Sequence, residues 1–200
     1  MPKRVTIIAS GETERRSLPH LLFYLRDDGI ILDEIRIPPG HGKLNVSAVE
    51  RLIKAAWYED VEQPVDKFIV LVDTDGKTPE DALSLLTAEL PGRLSDEITR
   101  RVQYTYAQWH LESWYFADAT NLRSHLGRSL GSIDTSKPDT IQNPKEHLKN
   151  LLGGQTYTAR VSEDIAKSLD ARIIVQRSPS FGRFVDAVMN GELRIDSGRA

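Results

Sequence analysis

The sequence predicts an α/β fold with a mostly parallel central sheet flanked by helices and a mainly helical C-terminal portion. Short, β-branched apolar runs alternate with helical segments from residue 4 to about residue 126, which is the order typical of a parallel sheet. The run KFIVLVD (67–73) is apolar on both faces, as expected of a central strand that is covered on both sides. After a polar linker, the spacing of apolar residues is largely helical.

Four strands are predicted in the first part of the chain. Each is rich in β-forming residues, and turn-forming or charged residues flank most of them. They are RVTIIAS (4–10), IILDEIRIPP (30–39), KFIVLVD (67–73) and the beginning of VQYTYAQWHL (102–111).

The first predicted helix follows the first strand. The leucines of RRSLPHLLFYL (15–25) are spaced as on one face of a helix. Proline is tolerated best in the first turn of a helix, so Pro19 predicts a helix start near Ser17. Gly29 is a suitable stop.

Three further helices are predicted between and after the later strands. Asn45 and Thr78 are suitable N-terminal caps for two of them, because their side chains can accept a hydrogen bond from a free backbone N–H. The segments are 45–60, 78–90 and 112–126.

A polar linker with two prolines, GSIDTSKPDTIQNPK (131–145), divides the chain. It predicts an α/β core of residues 1–130 and a C-terminal helical extension of residues 131–200 that packs on the core, with one domain overall. The helical segments expected at the end are PKEHLKNLLGG (144–154), about 162–169, and SPSFGRFVDAVMN (178–190).

Composition excludes several classes of protein. The chain of 200 residues has a net charge of −3, so bulk charge does not favour a polyanion binder. It has no cysteine, which excludes disulfides, zinc–thiolate sites, iron–sulfur clusters and a thiol nucleophile. The apolar run near the N-terminus is shorter than a secretory signal requires, and no run approaches the roughly 20 residues of a membrane helix. We therefore expect a cytoplasmic location and no membrane contact.

Acidic residues follow two of the predicted strands. Asp73 and Asp75 end the central strand, where residues two apart point to the same face. Glu12 and Glu14 lie after the first strand, at the same edge if the two strands are parallel. Converging carboxylates repel unless a cation neutralises them, and oxygen ligands favour Mg²⁺ or Mn²⁺. The alternative is a structural turn, because aspartates in DxDG also cap backbone amides.

Glu112 opens a further candidate segment, ESWYFAD (112–118). At the start of a helix a carboxylate is stabilised by the helix dipole, so an N-terminal charge beside aromatic packing is one interpretation. The other makes Glu112 an additional metal ligand, as in two-metal phosphoryl transfer.

Basic residues near these motifs are candidates for phosphate contacts. Lys43 in PPGHGK (38–43), Lys77 and Arg15 could bind a phosphate or substrate, and Lys145 is similar. PPGHGK lacks the spacing of a Walker motif, so it predicts no ATP site. The simpler interpretation is that these side chains are solvated, with Lys43 in a plain surface loop.

The acidic motifs resemble those of Toprim domains, in which a GxTE turn after the first strand is paired with a later strand that ends in DxD. More closely, the chain resembles the bacterial family of domain of unknown function 4276. The matching stretches are SGETERRSLPHLL (10–22), IVLVDTDG (69–76), HLESWYFAD (110–118), NPKEHLKNLL (143–152) and SPSFGRFVDAV (178–188).

The Toprim resemblance implies a metal-dependent nuclease or phosphodiesterase that acts on nucleic acid. It implies Asp73, Asp75 and Glu14 as Mg²⁺ or Mn²⁺ ligands, with Glu12 and Glu112 as further catalytic candidates. It also implies an AAA- or SMC-like ATPase partner and a role as an antiphage effector. A homo-oligomer is compatible with the sequence.

One position departs from the Toprim pattern. Toprim proteins usually carry a glutamate directly before the first glycine, whereas this chain has Ser10. Either Glu12 or Glu14 substitutes for that ligand, or part of the catalysis is lost. The alternative function is therefore a non-catalytic subunit that binds and regulates an ATPase. A third is hydrolysis of a small phosphorylated metabolite.

Overall fold

A parallel sheet forms the centre of the fold. In the computed structural model, which describes residues 2–41, 44–59 and 62–189, the sheet has four strands. They are β1 (Lys3–Ile8), β2 (Ile30–Leu32), β3 (Lys67–Asp73) and β4 (Val102–Ala107), in the spatial order β2-β1-β3-β4. All pairs are parallel, and Ile69 of β3 lies between Ile7 of β1 and Gln103 of β4. The predicted α/β class and parallel sheet are confirmed.

Helices cover the sheet and make up most of the C-terminal portion, as predicted. Those in the first part of the chain are α1 (Glu12–Leu21), α2 (Val46–Glu59), α3 (Pro79–Glu89), α4 (Asp96–Thr99), α5 (Glu112–Ala117) and α6 (Ala119–Leu126). The later ones are α7 (Pro144–Leu151), α8 (Ala159–Ser168), α9 (Ala171–Arg177) and α10 (Pro179–Met189). None of the helices in the described ranges is long and apolar enough to cross a membrane.

Two of the predicted helix caps are present. The side chain of Asn45 accepts a hydrogen bond from the N–H of Ala48 at 2.9 Å, at the start of α2. The hydroxyl of Thr78 accepts one from the N–H of Asp81 at 3.1 Å, at the start of α3. Each cap satisfies a backbone donor that the first helical turn leaves free.

The start predicted for the first helix was wrong. α1 begins at Glu12 rather than near Ser17, so Pro19 lies inside the helix. A proline there removes one backbone hydrogen bond. Tertiary packing outweighs this cost, because α1 lies against α8 and buries Leu18 and Leu21 completely.

Two further elements differ from the prediction. The second strand covers only Ile30–Leu32, although the chain stays beside β1, because the N–H of Asp33 donates to the carbonyl of Val5 and Arg36 forms an isolated bridge with Ile8. The helix expected over 112–126 is interrupted at Asp118, which has non-helical dihedral angles. Its carboxylate accepts hydrogen bonds from the N–H of Asn121 and of Asp170.

The C-terminal helices bury the aromatic residues of α5. Trp114 stacks on Phe184 at 5.3 Å between ring centroids and meets Phe181 edge-on at 4.8 Å. All three side chains are fully buried, and burial of each contributes about 2–3 kcal/mol. The residues on both sides of the linker thus share one hydrophobic cluster. The boundary at residue 130 stays a prediction.

Candidate active site

Three acidic residues lie at the edge of the sheet where the strands end. Asp73 is the last residue of β3. Glu14 is in the first turn of α1, directly after β1, and Glu112 is the first residue of α5, after β4. Because β1, β3 and β4 are parallel neighbours, their carboxyl ends lie at one edge. We call these three residues, together with Asp75 in the turn after β3, the acidic edge.

Glu14 is buried at this edge, with only 6% of its surface exposed. Burial raises its pKa from 4.5 to about 7, and the negative charge of Glu112 acts in the same direction. Hydrogen bonds from backbone N–H groups and the positive charge of Lys145 oppose the shift. At neutral pH the buried Glu14 carboxyl is therefore partly ionised, and the surrounding groups do not fully stabilise its negative charge.

Asp73 is a second carboxyl group at the acidic edge with a raised pKa. Part of the residue reaches solvent, but its carboxyl lies among protein atoms, and this burial raises its pKa well above the ordinary value. The charges of Glu14, Glu112 and Asp75 raise it further, and Lys145 opposes them. The carboxylates therefore interact with one another as a group.

Glu112 is held by two groups from the C-terminal portion. The Tyr157 hydroxyl donates a hydrogen bond to its Oε1 atom at 2.8 Å, and the Lys145 Nζ atom lies 3.8 Å from the same oxygen. Burial raises the pKa of Tyr157, as does the charge of Glu112, so this hydroxyl stays protonated and keeps donating. Lys145 lies 5.9 Å from the centre of the Tyr157 ring, a cation–π distance.

Tyr157 was not recognised from the sequence, and Lys145 was only one of several solvated candidates. Tyr157 lies in the loop between α7 and α8, which has no helical or strand periodicity. Lys145 could have been suspected because it lies in the first turn of α7, in one of the family-like stretches. The contact of both residues with Glu112 is visible only in three dimensions.

Asp75 reaches the acidic edge by a turn and not by the strand geometry expected for it. β3 ends at Asp73, and Asp75 has a left-handed backbone with φ of 49°. Its side chain is 70% exposed, and its Oδ1 atom lies 3.0 Å from Nε2 of His110. Its charge still raises the pKa of Asp73. The two aspartates therefore remain neighbours, although strand alternation does not align them.

The structure separates Glu12 from Glu14. Both lie in the first turn of α1 and not in a flexible turn, and residues two apart on a helix point about 200° apart. Glu12 forms an ion pair with Arg15 at 2.7 Å, at the helix surface. Arg15 also lines a groove of about 540 Å³ beside β2, which the acidic-edge residues do not line. Glu14 is thus the one of the two glutamates that lies at the acidic edge.

The remaining basic candidates are placed as follows. Lys77 is exposed directly after the DTDG turn, and its backbone N–H donates to the carbonyl of Thr74 at 2.9 Å. Lys43 lies outside the described residues.

The acidic edge has the donor chemistry that a hard divalent cation requires. Its ligating atoms are carboxylate oxygens, the type preferred by Mg²⁺ and Mn²⁺, and two of the groups are buried with raised pKa values. Within residues 2–41, 44–59 and 62–189, no three histidine, aspartate or glutamate side chains lie close enough together to enclose a metal ion on their own. Mg²⁺ is usually held by one or two carboxylates together with waters and substrate phosphates, which this arrangement allows.

The fold and the acidic edge define an α/β domain with a carboxylate cluster where parallel strands end. The chain belongs to the family described as Domain of unknown function (DUF4276), whose profile matches residues 11–189. This confirms the family that was inferred from the motifs. No curated protein matches the chain.

Solved structures with a similar arrangement include two C-terminal regions of proteins named OLD. One, from Burkholderia pseudomallei, is 18% identical with a TM-score of 0.48 and covers 94% of this chain and 100% of that chain. The other, from Xanthomonas campestris pv. campestris, is 14% identical with a TM-score of 0.43 and covers 93% of this chain and 96% of that chain.

Proposed function

We propose that the chain is a Mg²⁺- or Mn²⁺-dependent phosphodiesterase of Toprim type that cleaves nucleic acid. The observation that carries the proposal is the grouping of Glu14, Asp73 and Glu112 from three separate elements, with burial and mutual repulsion raising the pKa of the first two. Strongly perturbed carboxyl groups that meet at the carboxyl ends of parallel strands are typical of functional sites. A purely structural turn would not need them.

The chain's own residues divide into ligands and supporting groups. Asp73 and Glu14 would hold the cation together with waters and substrate phosphates, and Glu112 and the exposed Asp75 are the carboxylates that would supply any further ligand. When bound, such a cation activates a water and stabilises the leaving oxygen of a phosphodiester. Tyr157 keeps one Glu112 oxygen hydrogen-bonded and thereby limits the orientations of that carboxylate.

Among the basic side chains that the structure describes, Lys145 lies at the acidic edge, where it could contact a bound phosphate. Its ammonium group lies 3.8 Å from Glu112, and its side chain is 40% exposed. A positive charge at the rim of a carboxylate cluster can pair with a phosphate oxygen and balance the charge that develops during cleavage. The C-terminal portion would therefore contribute directly to the site.

A cleavage assay on single- and double-stranded DNA and on RNA, with and without Mg²⁺ or Mn²⁺, tests the proposal. We expect metal-dependent cleavage by the wild type and loss of cleavage in Asp73→Asn. The matched control is Glu97→Gln, which removes an exposed carboxylate from α4, before the opposite end of β4. Cleavage that persists in Asp73→Asn would contradict the site assignment. Preferential hydrolysis of small phosphate esters would favour the metabolite alternative.

A second candidate, a non-catalytic subunit that binds and regulates an ATPase, is favoured by Ser10, which stands where Toprim proteins usually carry a glutamate. The antiphage effector role follows from the resemblance and belongs to the phosphodiesterase proposal, and an AAA- or SMC-like ATPase partner is implied by the resemblance for either candidate. Metal binding distinguishes the two candidates. A non-catalytic subunit should bind no Mg²⁺ at the acidic edge, whereas the phosphodiesterase should bind it at Glu14 and Asp73.

A further inference from the structure

His110 contacts the most exposed carboxylate of the acidic edge. Its Nε2 atom lies 3.0 Å from Oδ1 of Asp75. Its Nδ1 atom is buried and has no hydrogen-bond partner within the described part of the chain. An imidazole with its proton on Nε2 can donate to Asp75 and leaves no buried N–H without an acceptor. The Nε2 atom of the ring is therefore placed to donate a hydrogen bond to Asp75.

The two chain segments that carry Asp75 and His110 are joined by hydrogen bonds. The N–H of Thr74 donates to the carbonyl of Ala107, and the N–H of Asp75 donates to that of Trp109, each at 3.1 Å. In return, the N–H of Trp109 donates to the buried hydroxyl of Thr74 at 2.8 Å. The segments 73–76 and 107–110 thus form one unit, which we call the DTDG latch.

The DTDG latch holds two residues in a costly conformation. Asp75 and Trp109 both have positive φ, 49° and 61°, a conformation that is strained for a residue other than glycine. Gly76 has φ of +81°, and the Trp109 ring lies so close that a Cβ atom at position 76 would be 2.7 Å from it. Such strain persists only where the surroundings determine it, and it concentrates at functional sites.

We propose that His110 is a positioning residue that holds the Asp75 carboxylate in the orientation in which it ligates a divalent cation at the acidic edge. The inference rests on the proposed metal site. Asp75 is 70% exposed, so without a partner its side chain would sample several rotamers. A group that orients a metal ligand typically changes metal affinity by 10–100-fold when it is removed.

Calorimetric titration of the full chain with Mn²⁺ tests this role. His110→Phe keeps a ring but removes the donor, and we expect at least a tenfold weaker Kd. The Gln amide nitrogen reaches about as far as Nε2, so His110→Gln should bind within about threefold of the wild type. The Asn nitrogen corresponds to Nδ1 and cannot reach Asp75, so His110→Asn should behave like His110→Phe and supplies a polar variant if the phenylalanine disturbs folding.

The variant Asp75→Asn tests whether His110 changes the Mn²⁺ affinity through Asp75. If His110 acts through Asp75, His110→Phe added to Asp75→Asn weakens Mn²⁺ binding no further. An equal loss in that background, or wild-type affinity in both His110→Phe and His110→Asn, would overturn the inference. A wild type that binds no Mn²⁺ would overturn it together with the proposed function. Mn²⁺ binding with the expected variant pattern but no cleavage of any phosphodiester would overturn the proposed function alone.

Discussion

Two aspartates of this chain show opposite ways of using a carboxylate. Asp139, in the linker, accepts hydrogen bonds from the Ser178 hydroxyl at 2.6 Å and from the N–H and hydroxyl of Ser180 at 2.7 and 3.1 Å. Ser180 in turn accepts one from the Trp114 indole at 2.8 Å. We call this set the linker clasp. Asp73 has other carboxyl groups as its neighbours, and its pKa is raised.

The comparison distinguishes a carboxylate that stabilises the fold from a group of carboxylates that we propose to be functional. Each bond of the linker clasp satisfies a donor, so the clasp fixes the linker and α10 on α5. The acidic edge brings together charges that oppose one another, and such an arrangement is typical of functional sites. The stretch SPSFGRFVDAV is thus explained by packing and hydrogen bonding, and the DTDG and ESWYF stretches contain carboxylates that we propose to bind a cation.

The largest expected effect is that of Asp73→Asn on cleavage. We expect the rate with Mg²⁺ to fall by about a thousandfold, because a charge that is needed during the reaction is lost. The free energy of unfolding of the metal-free protein should stay constant or rise by about 1 kcal/mol, because a disfavoured buried charge is removed. Cleavage rates and urea unfolding measure the two effects. A loss of stability large enough to account for the loss of activity would contradict the functional role of Asp73.

The next effect is that of Asp139→Ala on stability. Removing the acceptor leaves the Ser178 and Ser180 donors without their partner, and we expect the free energy of unfolding to fall by about 3 kcal/mol. Cleavage per folded molecule should be retained at low temperature. Asp134→Ala, which removes an exposed carboxylate from the same linker, is the control and should leave the unfolding midpoint almost unchanged.

The pH dependence of stability should reveal Glu14. Its pKa is raised to about 7 in the fold and is near 4.5 in the unfolded chain, so the folded state binds more protons between these values. The stabilising contribution of the protonated group is complete below about pH 4.5 and is lost as the pH rises through 7. Relative to Glu14→Gln, the metal-free wild type should lose about 2 kcal/mol between pH 5 and pH 8.

Chemical unfolding in a chelator at several pH values measures this difference. Mg²⁺ should restore part of the loss at pH 8 in the wild type, because it binds the folded state. A stability difference between the wild type and Glu14→Gln that does not change with pH would show that the Glu14 pKa is not raised.

The smallest effect is expected for Tyr157→Phe. The change removes the hydrogen bond to Glu112 and keeps the ring, so the free energy of unfolding should fall by about 1 kcal/mol. Cleavage should fall by about tenfold, because Glu112 is less well oriented. Tyr58→Phe, at an exposed position on α2, is the control. Unchanged cleavage in Tyr157→Phe would exclude a supporting role for the hydroxyl.

The central fold was predictable where one local signal dominated. β3 has the predicted bounds because its residues are apolar on both faces, and a strand covered on both sides requires that pattern. α1 was misjudged because Pro19 is a strong local signal, and packing against α8 overrides it. The break at Asp118 also escaped prediction, since its partner Asp170 is distant in sequence.

The candidate site was predictable only where its residues follow from a local sequence signal. The position of Asp73 follows from its strand, and the choice between Glu12 and Glu14 required the true start of α1. Tyr157 and His110 contact Glu112 and Asp75, from which they are distant in the sequence. No spacing rule connects such residues, so only the folded structure identifies them.

Calorimetric titration with Mg²⁺ at pH 8 tests the central claim, that the acidic edge is a divalent-cation site, most directly. The wild type and the Glu14→Gln/Asp73→Asn double variant should be compared, with Glu97→Gln as the control. The acidic-edge assignment predicts saturable binding by the wild type and by the control, and none by the double variant. Equal binding by all three, or no binding by the wild type, would contradict it.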